Sequence, residues 1–309
     1  MRTQNKSRIC KVFQKFFRPL SIILYPLALS PVLSPFSAQA LAAPKTALLV
    51  ITQDGNREWH KTLDDFAGKN RSRMPTEIVY GIPEPRTLQK AVTRLTTFRT
   101  KKIIVVPLLQ SSHSETLNHF RYLLGIRETP SRIFLKAIYG KHPPKSLTGI
   151  KVKPSVVMTA ALDNDPRITK LLINQVKAAS PKYISSPPGL VLVGISPAEE
   201  PENRQMLKQL QTAAEAVKKE LSLRACASFL INPYSGTKET EDSEKSLRKT
   251  VKSLSLKGKT IVVASSLVKE NHERYFRKIL KGCSYIWGGN SSLTPDLVRE
   301  WLYQKAGEG

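Results

Sequence analysis

The chain has 309 residues, 40% hydrophobic and 24% charged, a balance that excludes a disordered or fibrous chain and gives room for two ordinary domains. Lysine and arginine outnumber the acids 49 to 24, and the resulting net charge of +25 calls for an anionic partner. Aromatics are only 7%, and no zinc-finger, RNA-recognition or helix-turn-helix signature accompanies the charge, so no nucleic-acid partner is expected.

Residues 1–20 carry Arg2, Lys6, Arg8, Lys11, Lys15 and Arg18 without an acid. The run LSIILYPLALSPVLSPF (20–36) follows, and then SAQALAAP (37–44) with small residues at Ala38, Ala40 and Ala42. A basic region, an apolar region and a small-residue cleavage site, in that order, are the mark of a secretory signal peptide over residues 1–42. The apolar stretch is short and broken by prolines for a helix of about 20 residues, which ranks cleavage above anchoring. The expectation is an exported protein, periplasmic or secreted, that meets a membrane only through an uncleaved N-terminus. Removing six basic residues and no acid leaves a charge of +19.

TALLVI (46–51) is a continuous apolar run, as a strand buried on both faces requires. The turn TQDGN and a helix over 57–67 follow. TEIVYGI (76–82) is a second strand, EPRTLQKAVTRLTTF (84–98) a helix with Leu88, Val92 and Leu95 on one face, and KKIIVVPLL (101–109) a third strand. SETLNHFRYLLG (114–125) is a helix stopped by Gly125, and KPSVVMTAAL (153–162) a fourth strand. Asp165-Pro166 caps and opens a helix running to Ala179. SPKYISSPPG (180–189) is the linker candidate, and the pattern then restarts. Strand 190–195, helix 199–221, strand 224–231, helix 238–254 and strand 259–267 follow in turn. The fold class is α/β, with two similar Rossmann-like domains, 43–182 and 183–309, each a small parallel sheet with helices on both faces.

The two halves can be superposed by eye. Residues 101–125 align without gaps on 258–282 at a constant offset of 157, sharing a lysine, the I-V-V core, Leu123 with Leu280, and Gly125 with Gly282. The offset places His113 against Glu270 and Glu115 against His272, a histidine and an acid in swapped order. Cys10 belongs to the leader; the pairing of Cys226 with Cys283 stays open.

Ligands of open parallel sheets bind outside the carboxyl ends of the strands. The loops there, 53–58, 82–86 and 110–115, present Asp54, Asn56, Arg57, Glu84, Arg86, His113 and Glu115. Imidazole with carboxylate suits Fe, Co, Ni or Zn, and a neutral histidine also accepts a proton. A plainer reading stands beside this one: Ser112 and Glu115 have capping-box spacing, and Asp54-Gly55 is a turn signal. His119, four residues after Glu115, is expected as its surface partner, and His60 and His142 are expected to face solvent. Tyr285, Trp287 and Trp301 are expected to be packing residues.

The turn Gly55-Asn56-Arg57, the turn Gly81-Ile82-Pro83-Glu84-Pro85, the run IIVVPLLQSSHSE (103–115) and the ending LTPDLVREWL (293–302) together resemble the class II tetrapyrrole metal chelatases, which include sirohydrochlorin cobaltochelatases and ferrochelatases. The resemblance is clearest over 46–126. It implies a site in the cleft between two such domains, where Co²⁺, Fe²⁺ or Ni²⁺ enters an anionic tetrapyrrole such as sirohydrochlorin, with no organic cofactor. His113 matches the family histidine after the third strand, and Glu115 the acid near it. They are implied as ligand and base, with Asp54 as a third ligand or second proton acceptor. Asn56, Arg57, Glu84, Arg86, Arg121, Arg127 and His272 are the candidates for contacting the substrate. The sequence departs from the family at its first histidine, where Asp54 stands, with Ile195 read as the counterpart in the second half. That departure, together with export, leaves a second possibility: a binding protein for metal or tetrapyrrole on the same scaffold, without chemistry.

Overall fold

The computed structural model describes residues 46–130, 135, 149–180, 186–195, 200–232, 238–267, 272–289 and 293–308. The expected signal peptide, His142, Glu270 and the side chain of His272 lie outside the described residues. Among the described residues no helix is long and apolar enough to cross a membrane.

The first half is built from β1 (Thr46–Thr52), α1 (Arg57–Asn70), β2 (Thr76–Tyr80), α2 (Pro85–Thr96), β3 (Lys102–Leu108), α3 (Glu115–Leu123), β4 (Ser155–Met158) and α4 (Pro166–Ala179). The second half follows with β5 (Gly189–Ile195), α5 (Glu200–Glu220), β6 (Ala225–Ile231), α6 (Lys238–Leu256), β7 (Thr260–Ala264), α7 (His272–Ile279), β8 (Ile286–Trp287) and α8 (Pro295–Glu308). Each half forms a four-stranded parallel sheet, ordered β2-β1-β3-β4 and β6-β5-β7-β8. Two similar α/β halves are therefore what the sequence encodes.

Strand alternation sorts the apolar runs onto two faces. Leu48 and Val50 of β1, with Ile104, Val106 and Leu108 of β3, face one core; Ala47, Leu49, Ile51, Ile103 and Val105 face another, under α2 and α3. The first of these cores is shared. It runs on without a break into Leu190 and Leu192 of β5 and Ile261 and Val263 of β7. The helices that complete it are exchanged: α4 packs on β7 and α5 of the second half, and α8 packs on β3 and α1 of the first. Trp301 of α8 is fully buried there, a packing residue as expected.

The internal duplication survives in detail. Glu115 opens α3 and His272 opens α7, 157 residues apart, and Gly125 and Gly282 follow their helices at φ 75° and 78°. That left-handed backbone is where glycine costs least. The strand register corrects one correspondence. Leu48 pairs with Ile104 and Leu190 with Ile261, so Leu48 corresponds to Leu190. Ile195 is then the counterpart of Gln53, not of Asp54; the counterpart of Asp54 is Ser196, outside the described residues.

Candidate functional site

The loop after β3 carries His113, and its shape depends on serines that sequence spacing cannot tell apart. Ser114 is the N-cap of α3: its Oγ accepts from Leu117 N at 3.2 Å. The expected cap, Ser112, does something else. Its Oγ donates to Asp163 Oδ2 at 2.7 Å and accepts from Ala161 N at 2.9 Å, while its own N–H donates to Asp163 Oδ1 at 2.7 Å. The capping box is therefore replaced by a tie to the loop after β4. His113 N donates to Ser111 Oγ at 3.1 Å. The His113 ring is half-buried and, among the described residues, makes no hydrogen bond or ion pair.

Glu115 is 3% exposed, and its carboxylate lies 3.5 Å from Asn118 Nδ2. His119 is 1% exposed, 5.9 Å from Tyr122 ring to ring, and burial pushes its pKa down to about 4. The expected surface pair of Glu115 and His119 is thus a buried polar strip along α3. Arg121, expected to reach a substrate, braces the loop instead: Nη1 donates to Ser112 O and to Asn118 Oδ1, both at 2.9 Å, and burial lowers its pKa. Arg127 lies past the C-terminal end of α3, at the opposite edge of the sheet.

At the end of β1, Asp54 is 72% exposed and is not alone. Its Oδ1 accepts from Gly55 N at 2.9 Å and lies 2.7 Å from His60 Nε2. His60 stacks flat on Tyr80 at 4.1 Å and 4°, and Tyr80 donates to Asp64 Oδ1 at 2.9 Å. Burial, with Asp64 beside it, holds the Tyr80 phenol well above its usual range. His60 was expected to face solvent without a partner. The first turn of α1 folds it back over the D-G turn, a placement available from helix geometry once Asn56 is the cap, accepting from Trp59 N at 2.9 Å. Arg57 and Arg86 are exposed, as is Glu84, which accepts from Thr87 Oγ1 at 2.7 Å.

Sequence reasoning missed the residues that join this loop to the second half. Asp163, in left-handed backbone at φ 47°, also accepts from Gln209 Nε2 at 3.0 Å. Gln209 Oε1 in turn accepts from Ser111 Oγ at 2.8 Å, and Gln110 Nε2 donates to Ser265 Oγ. Gln110, Ser111, Asp163 and Gln209, with Ile195 and Leu210, line a cavity of about 30 Å³ at the carboxyl ends of both sheets. That volume suits a water molecule rather than a macrocycle. Among the described residues no three His, Cys, Asp or Glu side chains converge on one ion, so Asp54, His113 and Glu115 do not form a common three-ligand site. The edge is also electrically mixed, with Asp54, Glu58, Glu84, Asp163 and Asp165 interspersed among Arg57, Arg86 and Arg121.

No protein-family model matches the sequence, and no curated protein matches it. Solved structures do. The sirohydrochlorin chelatase SirB from Bacillus subtilis subspecies spizizenii, in complex with cobalt, superposes with a TM-score of 0.50 at 12% identity over 85% of this chain and 96% of that one. SirB from Bacillus subtilis with Fe³⁺ superposes with a TM-score of 0.53 at 13% identity, over the same shares. The fold is that of the class II chelatases, as the motifs implied.

Proposed function

We propose that the protein acts, after export, on a divalent metal ion and an anionic tetrapyrrole, with His113 as metal ligand and base. The observation that carries this reading is the His113 imidazole, held by a braced loop at the carboxyl end of β3 on a chelatase-like fold and left without a side-chain partner among the described residues. Inserting a divalent ion into a tetrapyrrole releases two pyrrole protons. A neutral imidazole accepts one. Asp54 is the proposed second acceptor, because Gly55 N and His60 Nε2 both bond to its Oδ1 and its exposed carboxylate keeps Oδ2 for a proton. The two SirB structures, one in complex with cobalt and one with Fe³⁺, support Co²⁺ and Fe²⁺ as the ions to try first, beside Ni²⁺.

A second reading, binding without insertion, draws support from the lack of a three-ligand cluster among the described residues. One experiment separates the two. The purified protein and its His113→Ala variant are titrated with Co²⁺, Fe²⁺ and Ni²⁺, and sirohydrochlorin absorption is then followed over time. The expected result is metal affinity lowered by at least about tenfold in the variant, with a spectral change at catalytic protein concentration. Stoichiometric binding without turnover selects the binding protein. Equal affinity in both proteins removes His113 from the proposal.

A further inference from the structure

The first sheet ends at β2, which among the described strands pairs with β1 alone. Leu48 N donates to Pro75 O and Gly81 N to Thr52 O, both at 2.8 Å, so the odd-numbered residues of this stretch bond inward. Parallel alternation then turns the N–H and C=O groups of Thr76, Ile78 and Tyr80 outward, where no described residue bonds to them. An open strand edge is a template for pairing unless lysine, proline or a bulge blunts it. β2 has none of these, and its one charged residue, Glu77, is held by Arg94 at 2.6 Å. The other sheet margins differ. β4 follows Lys153-Pro154, β8 has two residues, and β6 carries no charged side chain that could set a register.

The flank of β2 is also a groove of about 420 Å³, whose lining includes Asp64, Gly68, Arg71, Ile78, Tyr80 and Arg94. Asp64 stands at the carboxyl end of β2, where its Oδ1 accepts from the Tyr80 phenol at 2.9 Å. Arg71 stands at the amino end, as the C-cap of α1. Both are exposed, and neither is in an ion pair with a described residue. Their spacing is two turns of α1, about 10 Å along the axis. An acid at one end and a base at the other make the flank complementary to itself. A two-fold axis through its middle sets each end against its opposite.

We propose that β2 pairs antiparallel with β2 of a second copy of this chain, about a two-fold axis at Ile78. Thr76 then opposes the partner's Tyr80, and Ile78 opposes the partner's Ile78, so every outward N–H and C=O of the strand finds a mate. Asp64 meets the partner's Arg71, with Oδ2 left to accept because Tyr80 occupies Oδ1. Ile78, only partly buried within one copy, is covered. The two four-stranded sheets join into one, and because the contact is isologous it closes at two copies. The two His113 edges point in opposite directions, and the pairing is independent of what that site does.

The test is sedimentation equilibrium of the purified protein between about 1 and 200 μM, where a reversible monomer–dimer equilibrium is expected. Arg71→Asp and Asp64→Arg each set like charges together at two symmetric points. Either is expected to raise the dimer Kd at least about tenfold. The two reversals in one chain restore opposite charges, and are expected to return the Kd to within about threefold of the parent. Far-UV circular dichroism checks that each variant folds. Amide exchange at the two ends of the concentration range locates the contact without any substitution: protection is expected to rise in β2 and not in β6. A monomer at every concentration overturns the pairing. So does a dimer indifferent to both reversals, a double reversal as weak as the singles, or protection that rises in β6 instead.

Discussion

Asp163→Ala tests whether the His113 loop is held from outside itself. The carboxylate accepts three hydrogen bonds, two of 2.7 Å from Ser112 and one of 3.0 Å from Gln209. A bond to a charged group contributes about 1.5–3 kcal/mol when dry; here Asp163 is only partly buried and water partly replaces each bond, so about 1 kcal/mol each is the fair figure. The backbone adds a second term. At φ 47° an alanine costs about 1 kcal/mol more than aspartate or glycine, whose short polar side chain or missing Cβ tolerates left-handed backbone. Asp163→Ala is therefore expected to lower stability by about 4 kcal/mol and Asp163→Gly by about 3. Asp163→Asn, which keeps one acceptor oxygen and the backbone tolerance, should cost about 1–2 kcal/mol. Urea unfolding at constant pH measures all three, and the order Asn, Gly, Ala is the signature. A loss below about 1 kcal/mol for alanine refutes the brace, and equal losses for glycine and alanine refute the backbone term.

Two further predictions concern buried titratable groups. His119 titrates near 4 in the fold against 6.5 when exposed, so the folded state binds fewer protons between those values. Stability is full above pH 6.5 and falls as the pH drops toward 4, by about 2–4 kcal/mol. Replacing His119 with Leu should flatten that part of the profile in paired urea titrations at the two ends; an unchanged slope assigns it to other groups. Burial and the nearby Glu215 carboxylate, 3.1 Å away, push the Cys226 thiol up to about 11. At pH 8 its thiolate fraction is then about 100-fold below that of an ordinary thiol, and peptide mapping should show iodoacetamide reacting correspondingly slowly. Alkylation at an ordinary rate contradicts the placement of Cys226 beside Glu215.

What the sequence disclosed, and what it hid, follow from the range of each interaction. The strands were legible because burial on both faces demands unbroken apolar runs, and the repeat because β3-α3 and β7-α7 kept their spacing down to the glycines 125 and 282. The cap of α3 was not. Ser112 and Ser114 both have the right chemistry, and the choice is made by Asp163, 51 residues beyond Ser112. Gln209 lies 98 residues from Ser111 and Ser265 lies 155 from Gln110, distances at which no local pattern carries information. His119 misled for a related reason: helical spacing fixed its neighbours on α3 but not which face of α3 would be covered. Charge misled most, because a net value carries no position: of the four arginines expected near the site, 57 and 86 are exposed at that edge, while 121 is a loop brace and 127 lies on the far edge.

The shared core limits how any ligand can enter between the halves. Drawing the halves apart would strip α4 from β7 and α8 from β3, exposing Leu171, Leu172, Val298, Trp301 and Leu302 together. Each such side chain costs about 1.5–3 kcal/mol to expose, which for five approaches or exceeds the whole stability of a typical domain. The polar rim is another matter. Gln110 to Ser265, Ser111 to Gln209 and Gln209 to Asp163 are three bonds worth about 1 kcal/mol each, and water can replace them. The inexpensive motion is thus a parting of the rim about an intact core. It loosens the loop that carries His113 first, because Ser111 and Asp163 hold that loop and also make two of the three bonds that part. A ligand wedged at the rim and the position of His113 are therefore mechanically coupled through Gln209, which bonds to both Ser111 and Asp163.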